Sequence, residues 1–145
     1  MNKRNKIVLT CGTFDLLHTG HINLLRRAKT FGDYLIVGLS TNKFNKLKNK
    51  DNFLPYKQRK VILEAIKYVD KVIPERNQDQ EKSDAKKYKV DVFVIGDDYR
   101  GEFDELREHC EVIYLKRTPN ISTTSLKRSI AKKINSNMCD TRGRT

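Results

Sequence analysis

The stretch from Gly12 to His21, GTFDLLHTGH, constrains this chain more than any other part of it. It comes after the apolar run Ile7, Val8, Leu9 and just before the helical pattern Ile22, Leu25, Ala28. A strand that passes through a glycine turn into a helix leaves the helix's first N–H groups unpaired and aimed at one spot, which suits a phosphate. His18 and His21 lie three residues apart at that turn. Gly20 between them removes side-chain bulk, so both imidazoles can reach an anion held by the backbone and donate to its oxygens. The plainer alternative is a turn histidine and then a helix histidine that merely packs. The preceding strand, the glycine at each end and the helix after them favour the anion site.

Length and charge narrow what that site serves. A chain of 145 residues suits one domain, expected over residues 1–135, with 136–145 as a flexible C-terminal tail. The net charge of +12 comes from 30 basic and 18 acidic residues, spread along the chain except for a short basic start at Lys3, Arg4 and Lys6. Such a balance favours anionic partners, whether nucleoside triphosphates, phosphorylated metabolites or nucleic acid. No apolar run reaches membrane-spanning length, so no membrane insertion is expected, and a soluble cytoplasmic protein is. Cys11, Cys110 and Cys139 form no CxxC pair, which indicates neither a disulfide framework nor a zinc site. Cys11 reads as a small buried residue at a strand end.

Along the chain, Ile7 to Thr10 reads as a first strand and Asn23 to Phe31 as an amphipathic helix ended by Gly32. Tyr34 to Ser40, YLIVGLS, is nearly all apolar, as expected of a parallel strand covered on both faces. Residues 41–54 lack a clear period and read as a polar loop rimmed by Lys43, Lys46, Lys48 and Lys50. Pro55 opens a helix whose apolar face is expected at Val61, Ile62, Ala65, Ile66 and Val69, with Arg59 one turn in and able to point back toward the site. Lys71 to Pro74 is a short strand, Asp79 to Tyr88 a highly charged helix, and Asp91 to Ile95 a buried strand ending in Gly96, Asp97 and Asp98. Those carboxylates either cap the next helix or hold a hydroxyl or a hydrated magnesium ion. Glu111 to Leu115 is a last strand, and Arg117 to Thr124, RTPNISTT, leads into a helix carrying Leu126, Ile130 and Ile134. Ser122 and Thr123 are good N-cap residues. With Arg117 and Thr124 they would also make a second phosphate clamp facing the first. The expected architecture is α/β, a Rossmann-like parallel sheet of about five strands with helices on both faces.

Three segments in this order and spacing, GTFDLLHTGH, IGDD at 95–98 and RTPNISTT, resemble the glycerol-3-phosphate cytidylyltransferase family of the HxGH nucleotidylyltransferase superfamily. The resemblance covers Lys6 to Ile134. It implies a homodimer that transfers CMP from CTP to an alcohol phosphate, most readily sn-glycerol 3-phosphate, releasing pyrophosphate. Magnesium would be held mainly by the CTP phosphates, with no metal site of the protein's own. By position, the resemblance assigns catalysis to His18, His21, Lys48 and Arg117. It assigns nucleotide binding to the segment containing Gly12, Thr13, Phe14, Gly20 and the two histidines, to Lys50, Gly96 and Asp98, and to Arg117, Thr118, Ile121, Ser122, Thr123 and Thr124. Asp15, Lys48, Arg59 and Lys67 fall to the acceptor. It also suggests a pathway to teichoic acid, capsule or another surface polymer.

Three positions depart from the family pattern. Lys67 stands where an arginine is common, which keeps the charge and loses the bidentate fork. Gln78 and Glu81 stand where glycerol-phosphate enzymes place an aromatic residue and a lysine. These departures leave open a different acceptor such as ribitol 5-phosphate or phosphoethanolamine. An adenylyltransferase such as FAD synthetase is a further alternative. A nucleic-acid-binding protein rests on charge alone, because no aromatic residues are interleaved with the basic ones as a stacking platform requires.

Overall fold

A computed structural model of the chain describes residues 5–142, with side chains described through residue 137. Lys3 and Arg4 of the basic start lie outside the described residues. Strands β1 (Ile7–Gly12), β2 (Tyr34–Ser40), β3 (Lys71–Glu75), β4 (Val92–Gly96) and β5 (Glu111–Leu115) form one sheet in the order β3-β2-β1-β4-β5. All four pairings are parallel. The chain steps from β1 outward to β3, then returns to lay β4 on the other side of β1. That reversal opens a crevice at the C-terminal ends of β1 and β4, where ligands of open parallel sheets bind.

Helices α1 (Thr19–Lys29), α2 (Asn42–Leu47), α3 (Tyr56–Glu64), α4 (Gln80–Lys87) and α5 (Thr123–Arg142) join the strands, with 3-10 turns at Asp97–Tyr99 and Asp104–Glu108. Because successive strand residues face opposite sides, the sheet divides the interior into two cores. Val8, Val37 and Val94 pack with Leu25 and Ala28 of α1 and Leu63 of α3. On the other face Leu9, Ile36 and Phe93 pack with Ala85 of α4 and with Leu106.

Four elements differ from the sequence expectation, the first being α1, which opens at Thr19 rather than Asn23 because His18 caps it. Residues 42–47, expected as loop, form α2: Thr41 Oγ1 accepts from Phe44 N at 3.1 Å, and Phe44 and Asn45 are buried. Six residues are too few to display a helical period. In α3 the buried positions are Arg59 and Leu63, whereas Val61, expected in the core, is 65% exposed. The inward stripe is shifted because it contains an arginine that hydropathy places outside. Finally, α5 continues through Arg142, so residues 136–142 extend the helix where a tail was expected, and 143–145 lie outside the described residues.

Arg59, 1% exposed, is the largest fully buried side chain among the described residues. Its Nε donates to Leu54 O at 2.9 Å, one terminal nitrogen to Thr13 O at 2.9 Å and Ser40 O at 2.8 Å, and the other to Asn42 Oδ1 at 3.0 Å. The sequence reading aimed this side chain at the acceptor. Its donors are instead spent on three backbone carbonyls and an amide, of which the Ser40 carbonyl is buried and the others are partly shielded. Arg59→Met keeps the stem and removes the donors, and is expected to lower the unfolding free energy by ~3 kcal/mol in a urea titration. Arg59→Lys recovers only part of that, lacking the fork. A loss below ~0.5 kcal/mol in Arg59→Met would show that the carbonyls need no partner there.

Candidate active site

The first turn is built by backbone hydrogen bonds to imidazole. His18 is the N-cap of α1: its Nδ1 accepts from Gly20 N at 3.0 Å, while His21 Nδ1 accepts from His18 N at 3.2 Å. This is a capping box made with two histidines. A Cβ on residue 20 would stand 2.7 Å from His18 Cε1 and 2.9 Å from its Nδ1, so glycine is what lets the cap close. The rings stack with centroids 3.9 Å apart, and Phe14 flanks His21 at 5.4 Å. Phe14 and Leu16 hold φ of 47° and 49°, strained values for side-chain-bearing residues that the surrounding bonds must maintain.

These bonds set the protonation of both histidines. With each Nδ1 accepting a backbone N–H, the neutral ring carries its proton on Nε2 as a donor. Burial, and then Arg117, lower His18 from its ordinary value. Burial, and then His18, bring His21 down to about 4. Both rings are neutral donors near pH 7.

A cleft of about 500 Å³ opens in front of them. It gathers the first-turn residues Gly12, Thr13, Phe14, Asp15, His18, Gly20 and His21 with Lys50 from the loop after α2. From the far side of the switch point come Gly96 and Asp98, and from the last turn Arg117, Thr118, Ile121 and Ser122 to Thr124. Arg117 lies 3.1 Å from Asp98 in an ion pair, so Asp98 neither caps the turn at Asp97–Tyr99 nor stands alone. Ser122 Oγ accepts from Ser125 N at 3.0 Å, which makes Ser122 a cap. Thr123 Oγ1 donates to Asp15 O at 2.7 Å, joining the two turns directly.

Asp15 was expected at the acceptor, yet it is 3% exposed. Its carboxylate accepts from Phe53 N and Leu54 N and pairs with Lys127 at 3.2 Å. Burial alone would raise this carboxyl, but the two N–H groups and Lys127 hold it below its ordinary value. Lys48 and Lys67 do not line the cleft. Lys67 is exposed beside Tyr68, one turn beyond the part of α3 that packs. The half-buried Lys48 donates to Ser40 Oγ at 3.2 Å and sits 4.1 Å from the Phe44 ring, drawn toward Glu75 and Glu81.

The sequence reading missed several polar residues of the cleft. Asn23 Nδ2 donates to Thr118 Oγ1 at 3.2 Å and Arg27 to Lys116 O at 3.0 Å, so α1 supports the last turn. Tyr99 OH accepts from Lys50 at 3.4 Å. Lys127, four residues after Thr123 and thus on the same face of α5, carried a signal in that spacing.

Cys11, in the cleft wall, and Glu75 and Glu81 behind it bring their sulfur and oxygen atoms within 4.8 Å of one another. Gln78 is exposed, while Glu81 is 4% exposed, so its carboxyl faces Glu75 rather than the cleft. Burial, then the hydrogen bond with Glu81 and its charge, push Glu75 up to about 9. Between its ordinary 4.5 and about 9 the folded chain binds the extra proton, so the stability Glu75 contributes is complete at low pH and is lost as pH rises through that window. Glu75→Gln keeps the neutral form, so its thermal stability relative to the parent is expected to grow as pH rises from about 5 to about 9. A difference that does not change with pH would mean that Glu75 is ionised throughout.

Comparison with known proteins agrees with this geometry. Residues 9–134 match the family model described as cytidylyltransferase-like. A glycerol-3-phosphate cytidylyltransferase of Staphylococcus aureus is 58% identical over 125 residues, covering 86% of this chain and 95% of its own. An FAD synthase of Archaeoglobus fulgidus is 39% identical over 115 residues, covering 74% of this chain and 82% of its own. Among solved structures, the lipopolysaccharide core biosynthesis protein of Thermoplasma volcanium superposes with a TM-score of 0.69 at 24% identity, covering 79% of this chain and 99% of that one, a likeness of fold. With two facing helix N-termini, a histidine-capped first turn and a family match that runs through both, the chain belongs to the cytidylyltransferase-like family.

Proposed function

We propose that this protein transfers CMP from CTP to sn-glycerol 3-phosphate, giving CDP-glycerol, an activated unit for a surface polymer, and pyrophosphate. The observation that carries the reading is the pair of neutral imidazoles whose Nδ1 atoms are both occupied by backbone N–H groups. Their Nε2–H donors are left for phosphate oxygens at a helix N-terminus. High identity to a glycerol-3-phosphate cytidylyltransferase over nearly its whole length supports the choice of acceptor.

The reaction is an in-line attack by an acceptor phosphate oxygen on the α-phosphorus of CTP. The P–O bond to pyrophosphate breaks as the new one forms. The cleft offers cations and donors and no activated nucleophile: burial raises the Cys11 thiol well above its ordinary value, so it is no thiolate. Positioning and charge neutralisation therefore do the catalysis. His18 and His21 donate to oxygens on which charge grows as pyrophosphate leaves, and the N-termini of α1 and α5 add their dipoles. Lys50 adds a further cation from the loop. Arg117 exchanges Asp98 for the triphosphate, which the exposure of that ion pair permits.

Magnesium fits this cleft as a companion of the nucleotide. Asp15 has its oxygens engaged, which leaves Asp51 and Asp98 among the aspartates of the lining to reach a hydrated ion. Cys11 with two buried glutamates is a poor donor set for a hard cation. Bound on the phosphates, magnesium supplies charge neutralisation of the leaving group. The departures at Lys67, Gln78 and Glu81 lie outside the cleft lining and leave its nucleotide half untouched.

No described helix is long and apolar enough to cross a membrane, and the reading places the enzyme in the cytoplasm. A homodimer would cover Phe53 and Val61, which are 71% and 65% exposed.

Pyrophosphate release decides the reaction when CTP and ATP are each offered with glycerol 3-phosphate, ribitol 5-phosphate and phosphoethanolamine. Turnover is expected with CTP and glycerol 3-phosphate. Turnover with CTP and another acceptor would replace the acceptor, and activity with ATP alone would make the protein an adenylyltransferase. His18→Ala is expected to cost ~3 kcal/mol, about a hundredfold in turnover at saturating CTP. Near-normal turnover would remove His18 from catalysis. Sedimentation equilibrium is expected to give a dimer that Phe53→Ser with Val61→Ser weakens; a monomeric parent would refute that part.

A further inference from the structure

Among its described side chains, helix α5 lacks the buried apolar anchor that the other long helices have. Of its described side chains none is buried, and only Thr123, Leu126 and Lys127 are even half-buried. Ile130 and Ile134 are 49% and 53% exposed. A helix with no interior face is free to pivot unless polar contacts fix it. Yet the last turn that carries Arg117 and Ser122 leads directly into this helix, so the pose of α5 sets the pose of that half of the cleft.

At its N-terminal end two contacts tie it to the cleft, one helical turn apart on one face. Thr123 Oγ1 donates to Asp15 O at 2.7 Å. Lys127 Nζ donates to Asp51 O at 2.7 Å and lies 3.2 Å from Asp15 Oδ2. Asp15 is itself buried and accepts from Phe53 N and Leu54 N. Asp51 and Phe53 belong to the loop that begins beside Lys50. Through the one ammonium of Lys127, the first turn, the lysine loop and α5 therefore meet at a single point in the cleft lining.

We infer that Lys127 is a positioning residue: by bridging Asp15 and the Asp51 carbonyl it locks α5 and the 49–54 loop together, and so sets Arg117 and Lys50 in register with the histidines. The inference rests on the proposed reaction only for its kinetic readout. The lock is a property of the free protein. Lys127 is well suited to it because one ammonium reaches both the Asp51 carbonyl and Asp15, and because a buried carboxylate already bonded to two N–H groups is a fixed target.

The test uses the full chain and three variants. Lys127→Met keeps the stem and removes the ammonium. Lys127→Arg keeps the charge and can span the same two oxygens. Asp15→Asn removes the charge at the other end. Lys127→Met takes one partner from the buried Asp15 carboxylate, which keeps its two backbone N–H donors, so the variant is expected to stay folded and to melt somewhat below the parent. Its amide hydrogen exchange should rise at 49–54 and at the start of α5 together, while exchange in the sheet stays as in the parent. With CTP as the varied substrate, KM is expected to rise about tenfold with a smaller fall in kcat, and Lys127→Arg to recover most of it. In the double variant, Lys127→Met on top of Asp15→Asn should add little, since the bridge is already broken.

Unchanged exchange in both segments overturns the proposal whatever the substrate. Raised KM with unchanged exchange does so too, because Lys127 would then be touching nucleotide. Additive effects of Lys127→Met and Asp15→Asn overturn it as well. If the parent shows no turnover with CTP while exchange in both segments still rises together, the proposed reaction falls and the lock stands.

Discussion

The structure depends on a buried guanidinium. Arg59 joins the carbonyls of Thr13, Ser40 and Leu54, which come from the ends of β1 and β2 and from the loop before α3, three segments that converge on this one side chain. Beside it, Asp15 accepts from the backbone of Phe53 and Leu54 and pairs with Lys127. Arg59 and Asp15 form a polar frame under the first turn. Such a frame is costly to desolvate and rigid once satisfied, which is what a turn with Phe14 and Leu16 at positive φ requires. Strain that would relax in a loop is maintained here because the donors and acceptors around it already have their places.

On that frame the site is arranged for an anion that arrives carrying its own charge. The histidines are neutral, Arg117 is matched by Asp98, and Lys127 is matched by Asp15. The positive potential comes instead from the two helix N-termini, from Lys50, and from Arg27 and Lys116 in the lining, and it is in position before binding. Donors that need no reorientation stabilise developing charge without a reorganisation cost. The ion pair most exposed to solvent in the cleft, Arg117 with Asp98, is also the one most easily exchanged for phosphate.

Behind the cleft wall at Cys11, the cluster of Cys11, Glu75 and Glu81 behaves as interior. Burial raises both the thiol and the carboxyl of Glu75, and Lys48 turns toward them rather than into the cleft. Glu81 departs from the family pattern, but its charge goes into this cluster. A substitution that looks like a reversal of charge at the substrate is, in three dimensions, a change in how α4 packs.

The chain by itself determined the fold class and the site's location. Apolar runs such as YLIVGLS have the length and burial of parallel strands, and glycine turns between strand and helix are local chemistry that needs no distant partner. The nearness of His18 and His21 could be read for the same reason, whereas the cap that their Nδ1 atoms make, with the helix opening at Thr19, was seen only in the structure. Tertiary structure alone decided what Arg59, Asp15, Lys48 and Lys127 do. A charged side chain reads as exposed until the carbonyls or carboxylates that receive it are brought from 19, 46 or 76 residues away. Those partners are set by how the strands are ordered in the sheet, and strand order leaves no mark in the spacing of residues along the chain.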